Sequence, residues 1–177
     1  KGIIDDYSLD VREACEGSDL ILLSTPVGTF RDIIAEVSDS IKKGAVVTDV
    51  GSVKGRLVLE LESLMPEGVS YIGSHPIAGS DRSGIDDARA DLFNNARCII
   101  TPTKDSDKGA LRKVSSVWET IDGRVEQMDP FKHDEIYAAL SHLPHIIAYA
   151  LVNIANDIDP DNIDTQAGVL RIRQESP

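Results

Sequence analysis

Asp19-Leu-Ile-Leu-Leu-Ser24 is an apolar run without a single polar interruption, and its reading decides the fold class. A strand covered on both faces has this pattern, because helices pack on either side of a parallel sheet and leave no face for polar side chains. Reading outward, Thr29–Ile41 carries Phe30, Ile33, Ile34, Val37 and Ile41 at helical spacing. Ala45–Val50 reads as a second strand. Ser52–Leu64 reads as a helix, with Ser52 as its N-cap and Val53, Leu57, Leu61 and Leu64 along one face. Val69–Ile72 is a third strand, followed by a turn-rich stretch, Gly73–Gly84, and a short helical segment to Phe93. Arg97–Thr101 (strand), Lys108–Ile121 (helix) and Arg124–Met128 (strand) continue the alternation. Such βα alternation predicts an α/β fold, a mostly parallel sheet covered by helices.

The pattern changes at Pro130. Asp134–Ala155 reads as one long helix that is apolar nearly all round, from Ile136 and Tyr137 through Leu140, Leu143, Ile146 and Ile147 to Leu151 and Ile154. A helix without a polar face must be buried between other elements. Pro144 removes a backbone bond there and predicts a kink. The expected division is therefore residues 1–129 as one domain and 130–177 as an interdomain helix with part of a second, helical domain.

Composition narrows the function. The formal net charge of −12 over 177 residues argues against a nucleic-acid partner, since no basic stripe offsets that field. An anionic substrate would have to be held by a few local cations or helix N-termini. Cys15 and Cys98 lie far apart with no CxxC spacing, and read as reduced thiols of a cytoplasmic protein. The longest apolar stretch is interrupted by His142, Pro144, His145 and Asn153, which argues against a membrane span; no secretory signal is expected. His142 and His145 are three residues apart with His133 upstream, but no HExxH pair and no matching carboxylate accompany them, so no metal is expected.

Ligands of open parallel sheets bind beyond the C-terminal ends of the strands. Here those ends lead into Ser24-Thr-Pro-Val-Gly28, Asp49-Val-Gly-Ser-Val-Lys-Gly55 and Gly73-Ser-His-Pro-Ile-Ala-Gly79. The first two supply candidate cofactor contacts in Ser24, Thr25, Pro26, Asp49 and Gly51, although the same residues also read as plain turn chemistry. In the third, His75 stands at a ligand-facing strand end, fixed by the following proline, where an imidazole serves either structure or proton transfer.

Together Asp19–Pro26, Val47–Gly55, Gly73–Gly79 and Leu140-Ser-His-Leu-Pro-His145 resemble the prephenate/arogenate dehydrogenase family, in order from about Gly2 to Leu151. The HPIAG loop followed by SHLPH is the specific part. The resemblance implies a Rossmann-like dinucleotide-binding domain joined to an all-helical domain that makes a homodimer, with a small-molecule substrate between the domains. It implies His75 as the catalytic histidine on the ring hydroxyl, Ser52 as the serine that orients it, and His145 as a substrate-binding histidine of prephenate-using members. Asp81 matches an acidic residue at the site entrance. Leu170-Arg-Ile-Arg173 looks like a worn copy of a TRIA stretch, making Arg171 the substrate-carboxylate ligand. Family members open with a strand, a GxGxxG turn, a helix and a second strand ending in an acidic ribose ligand. The expectation is that this first βαβ unit is absent from the 177 residues, and with it the side chain that chooses between NAD and NADP. A glycine-rich segment precedes TRIA in the family, whereas Ala167-Gly168 here runs almost directly into Arg171.

The implied reaction is NAD-dependent oxidative decarboxylation of prephenate in tyrosine biosynthesis, with NADP as the alternative cofactor and arogenate as the alternative substrate. A β-hydroxyacid dehydrogenase would need a lysine on the interdomain helix, and none follows Lys132. A non-catalytic cofactor- or tyrosine-binding regulatory module is the rival outside the enzymes.

Overall fold

The computed structural model describes residues 4–79 and 88–158, with side chains described through residue 154. Eleven labelled elements follow one another in the described residues: α1 (Val11–Cys15), β1 (Leu20–Leu23), α2 (Phe30–Val37), β2 (Val46–Asp49), α3 (Gly55–Leu64), β3 (Ser70–Ile77), β4 (Arg97–Thr101), α4 (Lys108–Thr120), β5 (Arg124–Gln127), α5 (Pro130–Tyr137) and α6 (Leu143–Ile158). The five strands form one sheet in sequence order. Three neighbouring pairs are parallel, and β3–β4 is antiparallel, pairing Gly73 with Thr101 through Ile77 with Arg97.

The uninterrupted apolar strands are explained by two separate cores. Ile21, Leu23, Val47 and Tyr71 pack with Phe30, Ile34 and Val37 of α2 and Val58 and Leu61 of α3. Their neighbours Val46, Ile72, Cys98 and Ile100 pack on the other side with Ala110, Val114 and Trp118 of α4. Alternate residues of β2 thus enter different cores, and all four of its residues are buried. Burying each large aliphatic side chain contributes roughly 1.5–3 kcal/mol, so both faces carry real stabilisation. Local signals set the ends: Asp10 caps α1 and Asp107 caps α4, the latter accepting from the Ala110 amide at 2.8 Å.

The structure departs from the sequence reading at four places. Ser52 is not the N-cap of α3, which starts at Gly55 after Lys54 with no side-chain cap. The reason is a tether: Asp49 accepts from the Gly51 amide at 2.9 Å and pairs with the buried Lys54 ammonium, drawing residues 50–54 out of helical conformation. Second, the stretch after Ile72 is strand as far as Ile77, because β4 pairs with it even where β2 has ended. Pro76 is tolerated because β3 pairs on one side only at that level, so its missing N–H breaks no second ladder. Third, residues 90–95 are turns and not a helix, and residues 80–87 lie outside the described ones. Fourth, the long helix is divided: a π-helical turn, Ala138–His142, separates α5 from α6. Its place immediately before Pro144 follows from the proline ring, which cannot approach the carbonyl four residues upstream in a regular α-helix.

α5 begins on a strong stop-and-start signal. Asp129 Oδ1 accepts from the amides of Phe131 and Lys132, both at 2.9 Å, and Pro130 occupies the first helical position, where its missing N–H costs nothing. The chain divides into two compact units, Lys1–Asp134 and Glu135–Pro177. Within the second, Leu140, Leu143, Ile146, Ile147, Tyr149, Leu151 and Ile154 are exposed. No helix among the described residues is long and apolar enough to cross a membrane.

Candidate active site

His75 sits near the end of β3, half-buried, and its ring is held from α5. Nδ1 of His75 lies 2.8 Å from Nε2 of His133, whose side chain is wholly buried. Nδ1 of His133 lies 2.9 Å from Oδ1 of Asp134, and the same oxygen accepts from the Lys54 amide at 2.7 Å. The two rings meet edge to face with centroids 5.0 Å apart.

This chain of contacts fixes proton positions when both rings are neutral. A carboxylate only accepts, so His133 Nδ1 carries the hydrogen and its Nε2 carries the lone pair. The neighbouring Nδ1 of His75 must then donate, which puts the lone pair of His75 on Nε2. An imidazole so arranged is a proton acceptor at the nitrogen opposite its anchor.

Beneath the site, Asp49 is fully buried and serves as a junction. Oδ1 accepts from the Tyr71 hydroxyl at 2.8 Å and the Ser74 amide at 3.1 Å, while Oδ2 takes the Gly51 amide and the Lys54 ammonium. Its carboxylate is therefore turned inward as a strut for the Gly51–Gly55 loop, not outward toward a ligand. Burial lowers the Lys54 pKa and Asp49 opposes that shift. The Tyr71 hydroxyl is pushed well above its ordinary value, by burial first and the Asp49 charge second.

Ser52 is exposed in this loop, two residues before the Lys54 amide that binds Asp134. The loop and His75 are thus both anchored to the first turns of α5. Ser24, Thr25 and Pro26 are exposed beyond β1, where the Thr25 and Thr29 hydroxyls meet at 2.8 Å and Thr29 donates to the Pro26 carbonyl. Gly51 is closely packed: a Cβ there would lie 2.7 Å from Val27 and 3.0 Å from Asp49. A mostly apolar hollow of about 320 Å³ runs along the α4 side of the sheet, from Leu20 and Leu22 of β1 past Val50 and Pro76 to Trp118. In the second unit, Nδ1 of His145 donates to the Ser141 carbonyl at 2.7 Å. Asp81 and Arg171 lie outside the described residues.

His133, Asp134 and Lys54 were not singled out by motif. The available signal was an adjacent His-Asp pair one turn into a helix start marked by Asp-Pro.

The thiol next to the site is inert. Cys98 faces Pro76 across the β3–β4 ladder, and burial pushes its pKa up to about 12 against the opposing influence of the His75 amide and Lys54. Burial also raises Cys15. Thiolate is the reactive form, so neither residue should label with iodoacetamide in the native protein, while both should label in denaturant. Peptide mapping by mass spectrometry checks this. Native labelling of Cys98 within minutes would contradict the burial of β4.

Residues 1–127 match the family model for the prephenate dehydrogenase nucleotide-binding domain, and residues 129–169 match that for its dimerization domain. The chain belongs to the prephenate dehydrogenase family. It is similar to the cyclohexadienyl dehydrogenase of Zymomonas mobilis, with 34% identity over 86% of this chain and 52% of the relative. Similarity to the prephenate dehydrogenase of Bacillus subtilis is 32% over 86% of this chain and 41% of the relative. Among solved structures, prephenate dehydrogenase from Aquifex aeolicus in complex with hydroxyphenyl propionate and NAD+ superimposes with a TM-score of 0.84, at 36% identity, over 99% of this chain and 64% of that one. The arogenate dehydrogenase of Synechocystis gives a TM-score of 0.73 at 28% identity, over 93% and 57%. The chain spans about half the length of the curated relatives it matches.

Proposed function

We propose that the protein is a cytoplasmic, NAD-dependent dehydrogenase that oxidises and decarboxylates prephenate to 4-hydroxyphenylpyruvate. The observation that carries this reading is the hydrogen-bond chain Asp134–His133–His75, which with neutral rings places the lone pair of His75 on Nε2 near the end of β3. Loss of CO2 aromatises the ring and drives the reaction, so the protein's task is to position the reactants and accept the hydroxyl proton. His75 takes that proton and Ser52 orients the ring. Arg171 would grip a carboxylate bidentately, and Asp81 would guard the entrance.

A bound nicotinamide supplies the hydride acceptor. The strand ends suit one half of such a cofactor: exposed hydroxyls at Ser24 and Thr25, Pro26 beside them, and the close-packed Gly51 held by Asp49. NAD rather than NADP is favoured by the NAD+ in the Aquifex aeolicus complex. We read the protein as a homodimer joined through the helical unit, whose exposed apolar side chains require cover.

Arogenate is the second reading, and His145 gives it a specific basis. With Nδ1 committed to the Ser141 carbonyl, a neutral ring leaves Nε2 an acceptor. The arogenate ammonium is a donor that suits this form. The prephenate side chain offers only acceptors and negative charge, and suits the imidazolium. The test is an assay of the intact protein with both substrates and with NAD and NADP. Prephenate should give the higher kcat/KM. His145→Ala should raise KM for prephenate several-fold and narrow the gap between substrates. A parent enzyme with the higher kcat/KM for arogenate would overturn the prephenate assignment.

A further inference from the structure

We propose that His133 and Asp134 are a positioning pair that locks His75 in the tautomer with hydrogen on Nδ1, so that Nε2 alone is offered to the substrate hydroxyl. The inference rests on the reading of His75 as the base and adds two residues that no motif supplied. Three contacts carry it: His75 Nδ1 to His133 Nε2 at 2.8 Å, His133 Nδ1 to Asp134 Oδ1 at 2.9 Å, and the Lys54 amide to that same oxygen at 2.7 Å.

The Lys54 amide matters because it is a backbone donor that cannot rotate away. It holds Oδ1 in place, and Oδ1 in turn selects the hydrogen position on His133. With that ring settled, the opposite tautomer of His75 would set two lone pairs against each other at 2.8 Å in a part-buried contact. In a free imidazole both tautomers are populated, and only one of them presents a base at Nε2. The pair removes the unproductive one.

The proton balance is simple. The substrate O–H bond breaks, its proton bonds to Nε2, and His75 becomes an imidazolium. Its Nδ1–H remains on His133, and the His133 Nδ1–H remains on Asp134. The new positive charge is then faced across one neutral ring by the Asp134 carboxylate. Among the described residues, the other titratable groups nearby are Cys98 of β4, held as a neutral thiol, and Lys54 with Asp49, which compensate each other. The Asp134 carboxylate, whose charge also acts on Lys54, stabilises protonated His75 across the His133 ring.

The experiment uses the intact protein and three readouts: kcat against KM, the pH profile of kcat/KM, and two-bond ¹H–¹⁵N correlation of labelled histidine rings. The wild-type His75 signal should show the Nδ1–H tautomer. Asp134→Asn keeps an acceptor oxygen but removes the charge, so the acid limb of kcat/KM should move to lower pH. Its kcat should drop about 10-fold, less than the about 10²-fold expected for loss of the base itself, with KM nearly unchanged. His133→Gln, which still offers an acceptor to His75 Nδ1, should retain several-fold more activity than His133→Leu. An Nε2–H tautomer in the wild type overturns the inference even if His75→Asn is inactive, and that spectrum decides the matter should the variants fail to fold. An Asp134→Asn enzyme with an unmoved pH profile and unchanged kcat also overturns it. Near-full activity of His75→Asn would instead overturn the base reading, and this inference with it.

Discussion

Replacing His75 with Asn is expected to lower kcat by about 10²-fold or more while leaving the fold intact, because general-base assistance is worth about 10²–10⁴-fold. The substitution is chosen on geometry. An Asn amide can still donate to His133 Nε2, so the buried ring of His133 keeps a partner and the β3–α5 contact survives. What disappears is the basic nitrogen. In the parent enzyme the base must be neutral to act, so kcat/KM should rise with pH through the titration of a single imidazole and be lost as pH falls below it. In the variant that limb should be absent, and the residual rate should reflect positioning alone. Stopped-flow or steady-state measurement from pH 5 to 8 in the intact protein checks both statements. A variant retaining near-full kcat at neutral pH would remove His75 from the mechanism. Thermal unfolding within a few degrees of the parent is needed to assign the loss to chemistry.

The fold was legible where burial leaves a local trace. Ala45–Val50 announced itself because both faces of β2 enter a core, and the α2 pattern of Phe30, Ile34 and Val37 repeats at the helical period; in β1 the reading held for Ile21 and Leu23, whereas Leu22 on the other face is exposed. The site was half legible. His75 and Ser52 stand on strand-end loops, which the topology of parallel sheets marks as ligand-facing. What the sequence hid are contacts between distant segments. His75 and His133 are 58 residues apart, and Lys54 and Asp134 are 80 apart. No periodicity encodes such pairs. The same cause explains the length of β3, which depends on β4 as a partner distant in sequence. It explains Ser52 too: cap propensity favoured it locally, but the Asp49–Lys54 pair outweighed a cap worth about 1 kcal/mol. Pro144 signalled a disturbed helix, and the disturbance took the form of a π turn on its N-terminal side.

That buried pair should also dominate the stability of the first unit. Lys54→Met is expected to destabilise it by about 3–5 kcal/mol, the usual consequence of removing one partner from a buried ion pair. Both side chains are fully inaccessible, so water cannot replace the lost ammonium without opening the site. Three donors stay with Asp49 after the change: the Tyr71 hydroxyl and the amides of Ser74 and Gly51. They soften the penalty, which places the expectation toward the lower end of that range. Asp49→Asn should be costly for the converse reason, leaving a buried cation facing an amide. Combining the two removes both charges, so the double variant should be more stable than the sum of the single losses, by an amount well above the ~0.5 kcal/mol scatter of additive sites. Chemical denaturation of the four proteins yields this coupling directly. Strict additivity would mean that the two charges do not depend on each other, and that solvent or a counter-ion reaches Asp49 in solution. Because the Lys54 amide survives in Lys54→Met, its bond to Asp134 can persist, and catalysis in the folded fraction should fall less than stability does.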